Sequence, residues 1–82
     1  DMPPSNHMLV VRNDDRPGMI GVVGTVLGEA GINIDDMDVG RSADGVPAVM
    51  VIATAKPVPA EVQDRLRAHD GILSVNAIDV KK

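Results

Sequence analysis

Twenty consecutive residues, Asp15 to Ile34 (DRPGMIGVVGTVLGEAGINI), join the end of one strand, a proline-glycine turn, a helix and an asparagine-bearing second strand. A strand-helix-strand unit this short constrains the fold more than any other stretch, because the helix must cross the sheet that its flanking strands enter. The layout also suits holding a small zwitterion better than it suits covalent chemistry.

The rest of the chain supplies what that unit packs against. Met8-Leu9-Val10-Val11 is a continuous apolar run with β-branched residues, the pattern of a strand buried on both faces, and it ends where Arg12-Asn13-Asp14-Asp15 turns polar. Pro17 and Gly18 follow, with Asp15 placed to cap or charge-complement a helix that starts at Met19. Ile20, Val23, Leu27 and Ala30 recur at helical spacing and form, with Val26, an apolar stripe that Gly31 closes as a C′ residue. Gly21, Gly24 and Gly28 lie on another face, where each lowers helix stability by roughly 1 kcal/mol relative to alanine. Three glycines on one side predict close approach of another backbone, from the second helix or from a partner subunit; a solvent face is the alternative.

Beyond Gly31 the apolar positions alternate, but Met37 and Val39 fall out of phase with Ile32 and Ile34, which predicts a β-bulge near Asp35-Asp36. Ser42-Ala43-Asp44-Gly45 gives a hairpin signal, and Ala48 to Ala53 reads as a central strand, also buried on both faces. Pro57 and Pro59 bracket a second helix start, Val58, Val62 and Leu66 line its inner face, and Gly71 stops it before a last strand from Ile72 to Val80. The order is βαββαβ. Crossover handedness folds it into an α+β, ferredoxin-like arrangement, a four-stranded antiparallel sheet with both helices on one face. The uncovered sheet face, or an unpaired edge strand, needs a partner.

Composition limits both stability and function. An 82-residue chain gives a core worth only about 3–5 kcal/mol, and without cysteine there is no disulfide or thiolate zinc site to reinforce it. Self-association, as a homodimer or larger homo-oligomer through sheet edges, is the expected supplement. The absence of Phe, Tyr and Trp leaves nothing to stack on a base or a flavin, and a net charge of −4 gives no footprint for a phosphate backbone. Nucleic acid is therefore not an expected partner. No apolar run approaches the roughly 18 residues of a membrane span, so no membrane role and a cytoplasmic setting are expected. The expected organisation is a linker over 1–6, one domain over 7–80 and a tail at 81–82, as part of a longer protein.

Catalytic constellations are missing. His7 and His69 stand on different elements with no carboxylate in helical register; Ser5, Ser42 and Ser74 have no base beside them. Asp14-Asp15, Asp35-Asp36 and Asp38 lack calcium-loop spacing, and the glycines at 18, 21 and 24 do not make a dinucleotide fingerprint. No catalytic residue, metal site or cofactor is expected in this domain. The remaining candidate is the turn after strand one, where free N–H groups at a helix start attract an anion and Gly18 leaves room for it. A carboxylate would sit over Gly18, Met19 and Ile20, while Asp15, Asn13 or Asn33 would accept from an ammonium group. The plainer alternatives are a helix cap for Asp15 and an ordinary strand residue for Asn33.

The segment DRPGMIGVVGTVLGEAGINI, the lead-in HMLVVRNDDRPG, GINIDDMDVGR, the hairpin at SADG, AVMVI and the closing GILSVNAIDV together resemble the ACT domains, amino-acid-binding regulatory modules. The resemblance is to those at the C-terminus of bacterial D-3-phosphoglycerate dehydrogenases, whose NAD is held by other domains and whose ACT domain senses L-serine. It implies a non-catalytic sensor for feedback control of serine biosynthesis, with serine shared across a dimer interface. Carried onto this chain, the effector residues are Asn13, Asp15, Pro17, Gly18, Met19 and Ile20 at the turn, and Asn33 and Ile34 after helix one. Asn13 and Asp15 depart from residues found at those places in other members, which bears on which amino acid fits. The ACT domain of an L-serine dehydratase β subunit and a dimerisation module without ligand are the alternatives.

Overall fold

The computed structural model describes residues 6–41 and 48–80. Its elements are β1 (His7–Asn13), α1 (Met19–Glu29), β2 (Ile34–Arg41), β3 (Ala48–Thr54), α2 (Ala60–Arg67) and β4 (Ile72–Asp79). The strands form one sheet in the order β2-β3-β1-β4, with every neighbouring pair antiparallel. Hence β1 and β2 run parallel with β3 between them, β3 and β4 run parallel with β1 between them, and each helix is a crossover that skips one strand. Two interleaved split units of that kind are the ferredoxin-like βαββαβ arrangement expected from the sequence. The hairpin signal at 42–45, the tail at 81–82 and all of the linker but Asn6 lie outside the described residues.

The helix-facing side of the sheet holds the core. Leu9 and Val11 of β1, Met50 and Ile52 of β3 and Val75 of β4 pack against Met19, Val23, Val26 and Leu27 of α1 and Val62 and Leu66 of α2. On the opposite face Met8 and Val10 are only half-buried, as are Val49 and Val51, and Ile78 is 50% exposed. The apolar runs of β1 and β3 are thus not buried on both faces, as their composition suggested. Their outer side chains are sheltered only by cross-strand neighbours, and such mutual shelter favours β-branched residues as strongly as a second layer would.

Helix α1 begins at Met19 and ends as predicted. The N–H of Gly31 (φ 73°) donates to the Gly28 carbonyl and that of Ile32 to Leu27, the paired bonds of a Schellman stop. Its apolar stripe holds at Val23, Val26 and Leu27, all buried, and differs at the first turn, where Met19 is buried and Ile20 is 52% exposed. Gly18, with φ 91°, forms the N-cap without any side-chain cap, so Asp15 does not cap this helix. A Cβ on Gly21, Gly24 or Gly28 would meet nothing within 4 Å, which removes α2 as the reason for those glycines. The bulge lies between Ile34 and Asp36, as expected.

Gly71 does more than follow α2, which already ends at Arg67. It has φ 95°, its carbonyl accepts the Asp14 N–H at 2.8 Å, and a Cβ there would run into the Arg16 guanidinium and lie 2.8 Å from the Met19 sulfur. The entrance to β4 is therefore pressed against the β1–α1 turn, and glycine lets the two meet at positive φ without displacing the Arg16 or Met19 side chain.

Candidate functional site

The β1–α1 turn opens onto a cleft of about 430 Å³. Asn13 forms part of its wall and is 3% exposed; its Nδ2 donates to the Asp14 carbonyl at 2.8 Å, while its buried Oδ1 has no partner. A buried acceptor left unpaired costs about 1–3 kcal/mol, so a donor placed beside it would be stabilising. Above it α1 starts with no side-chain cap, and its first intrahelical bond runs from the Val22 N–H to the Gly18 carbonyl at 3.0 Å. The leading N–H groups up to Gly21 thus lack intrahelical acceptors and present the positive end of the helix dipole.

Of the eight residues predicted from the sequence, six line this cleft: Asn13, Asp15, Pro17, Gly18, Met19 and Ile20. Asn33 and Ile34 do not. Asn33 lies beyond the far end of α1, an 11-residue helix of roughly 16 Å. It is exposed, its Nδ2 donates to Asp35 Oδ1 at 3.1 Å, and its carbonyl accepts the Ala55 N–H. Ile34 is half-buried and packs against the core. Within one chain these two residues do not join the turn.

The cleft also takes in residues absent from the sequence prediction, chiefly Arg41 and Val39 of β2 and Met50 of β3. Arg41 pairs across the sheet with Ala48, and Ala48 with Asn13, so the three form one row at this end of the sheet. Arg41 Nη2 lies 3.2 Å from Asp15 Oδ1, closing an ion pair over the cleft. The other cation of the lining, Arg16, is held by Asp70 at 3.2 Å and Asp14 at 3.8 Å. Among the described residues no group of three His, Asp or Glu side chains is placed to hold a metal ion. What the cleft offers is one carboxylate, one loosely paired guanidinium, a buried amide in its wall and a set of helix N–H donors, a constellation that can recognise charge.

Among the described residues no helix is long and apolar enough to cross a membrane. The chain is 35% identical over 80 residues to D-3-phosphoglycerate dehydrogenase of Archaeoglobus fulgidus, covering 94% of this chain and 15% of that protein. It is 34% identical over 80 residues to the enzyme of the same name from Bacillus subtilis, covering 98% of this chain and again 15% of the relative. The chain therefore spans about one seventh of the length of these relatives. Among solved structures, the ACT domain from GTP pyrophosphokinase of Chlorobium tepidum superimposes with a TM-score of 0.58 at 18% identity, over 88% of this chain and 95% of that one, a likeness of fold. The ACT domain family model matches residues 7–71, which include the whole β1–α1 turn, and the chain belongs to the ACT domain family.

Proposed function

We propose that this chain is the amino-acid-sensing domain of a D-3-phosphoglycerate dehydrogenase, and that it binds L-serine at the β1–α1 cleft for feedback control of serine biosynthesis. NAD and the catalytic residues would belong to other domains of the parent enzyme. The observation that carries the reading is the unpaired, buried Oδ1 of Asn13 beneath an uncapped helix start. An α-ammonium group would meet Asp15 and, once the Asn13 side chain turns toward the cleft, would satisfy that oxygen, while an α-carboxylate would meet the leading N–H groups of α1. The dehydrogenase relatives favour this parent over an L-serine dehydratase β subunit.

Association would complete the site. β2 is an edge strand, and Val39 (42% exposed) and Ile20 (52% exposed) lie along the same side of the molecule as the cleft. Pairing β2 antiparallel with β2 of a second copy reverses one strand against the other, which brings the partner's Asn33 toward the Arg41 end and the cleft mouth. The open glycine face of α1 then has a reason, since a neighbouring helix can approach it closely. One serine touching both copies would favour one relative orientation of the pair, and that bias is what the parent's catalytic domains would feel.

The test is a thermal-shift and calorimetric titration of the 82-residue chain against the twenty amino acids. L-serine at about 100 times its Kd stabilises by about 2.7 kcal/mol, which raises Tm by roughly 10–20 °C for a domain of this size. Silence for every amino acid, with a dimer confirmed by sedimentation, would leave a dimerisation module and refute the sensor.

A further inference from the structure

Resting on that reading of the cleft, we propose that Arg41 is the residue that recognises the effector's carboxylate, and that it does so by exchanging partners with Asp15. The two side chains hold each other at 3.2 Å over the cleft, yet Arg41 is 74% exposed and Asp15 48%. A pair so exposed to water is weak and opens readily. Arg41 carries five N–H donors, and this one contact is its ion pair among the described residues. Arg16, the other cation of the lining, already has two carboxylate partners, Asp70 at 3.2 Å and Asp14 at 3.8 Å, so turning to a ligand costs it more contacts than Arg41 gives up.

A zwitterion entering between Asp15 and Arg41 replaces one ion pair with two. Its ammonium takes Asp15, and Asn13 Oδ1 once that side chain turns toward the cleft; its carboxylate takes Arg41 together with the first N–H groups of α1. The exchange conserves charge only for a ligand that brings both signs. A free amine displaces Arg41 and gives it nothing, and a free acid meets Asp15 unpaired. Among the described residues the lining has no further unengaged cation or carboxylate, and its remaining wall includes Ile20, Val39 and Met50. The ligand class is therefore α-amino acids with neutral side chains, with dicarboxylic and dibasic ones disfavoured. Because Arg41 stands on the edge strand β2 and Asp15 on the turn before α1, the same exchange alters how the turn is tied to the edge where a second copy would pair.

The test compares L-serine with L-serinamide, which lacks the carboxylate, by calorimetry on the 82-residue chain and its Arg41→Gln and Arg41→Lys variants. The wild type should prefer L-serine by roughly ten- to a hundredfold, the worth of one charge-assisted hydrogen-bonded contact. Arg41→Gln should bind L-serine about as weakly as the wild type binds L-serinamide, and Arg41→Lys, which keeps the charge but not the fork, should recover part of the loss. L-serine binding by Arg41→Gln at wild-type affinity overturns the role of Arg41 and leaves the cleft as the amino-acid site. No heat from L-serine in the wild type overturns the site itself and this inference with it. Circular dichroism of each variant separates lost recognition from lost fold.

Discussion

Asn13→Leu should make the domain more stable and unable to sense. The side chain is 3% exposed, makes one hydrogen bond through Nδ2 and leaves Oδ1 buried without a partner. Leucine has the same branching, removes the unpaired acceptor, worth about 1–3 kcal/mol, and gives up one hydrogen bond worth about 1 kcal/mol. The Asp14 carbonyl that loses Nδ2 still accepts the Arg16 N–H at 2.9 Å, so no new orphan is created. Two methyl groups in place of the amide atoms contribute about 1 kcal/mol more. The net is about 1–3 kcal/mol of added stability, or roughly 5–20 °C in Tm. Urea denaturation with and without L-serine reads both halves of the claim. The wild type should gain stability with serine and the variant should not, so that enough ligand reverses their order. A variant that loses more than about 1 kcal/mol would show that Asn13 is a satisfied structural residue, and a variant that still responds to serine would show that the amide oxygen does not meet the ligand.

Two further outcomes follow from the glycines. Gly71→Ala should destabilise more than Gly31→Ala in urea melts: both residues have positive φ, 95° and 73°, but only at Gly71 does a Cβ strike its neighbours, Arg16 and Met19. The shared backbone strain is about 1–2 kcal/mol, and the excess at Gly71 should be up to about 1 kcal/mol, because both neighbours meet it with the ends of flexible side chains that can shift. Gly24→Ala should stabilise the monomer by about 0.5–1 kcal/mol, because nothing in the chain meets the new Cβ, whereas Gly24→Leu should shift dimer to monomer in sedimentation runs.

The fold was legible because local signals agreed with one another. Gly31 stops α1 and proline starts α2 where each was expected, and the phase slip between Ile34 and Met37 marked a real bulge. Where the reading failed, the failure was one of direction. An apolar strand looks alike whether its second face meets a layer or only its neighbours' side chains, so Met8 and Val10 were placed inside when they are half-exposed. The stripe of α1 was misplaced at Met19 and Ile20 because at the first turn a helix face is set by how the preceding turn enters it. That entry depends on Gly71, fifty-three residues beyond Gly18, whose Asp14 contact no local pattern announces.

The candidate site was half legible for a related reason. Residues next to one another in the turn, Asn13 to Ile20, were found because a helix start is a local signal. Arg41 was missed because it reaches the cleft through strand pairing: it sits beside Ala48, and Ala48 beside Asn13. The hairpin signal between β2 and β3 contained that information, since a hairpin's register decides which residues share a row. Extending the register from Ala48 to β1 would have put a guanidinium at the same sheet end as the turn. Asn33 shows the converse: the sequence marks it, yet the single chain sets it a helix length from the cleft. A residue singled out by family pattern but stranded within its own chain needs either no function or a second copy. The unpaired edge of β2, which runs from Asn33's end of the sheet to Arg41's, favours the second copy.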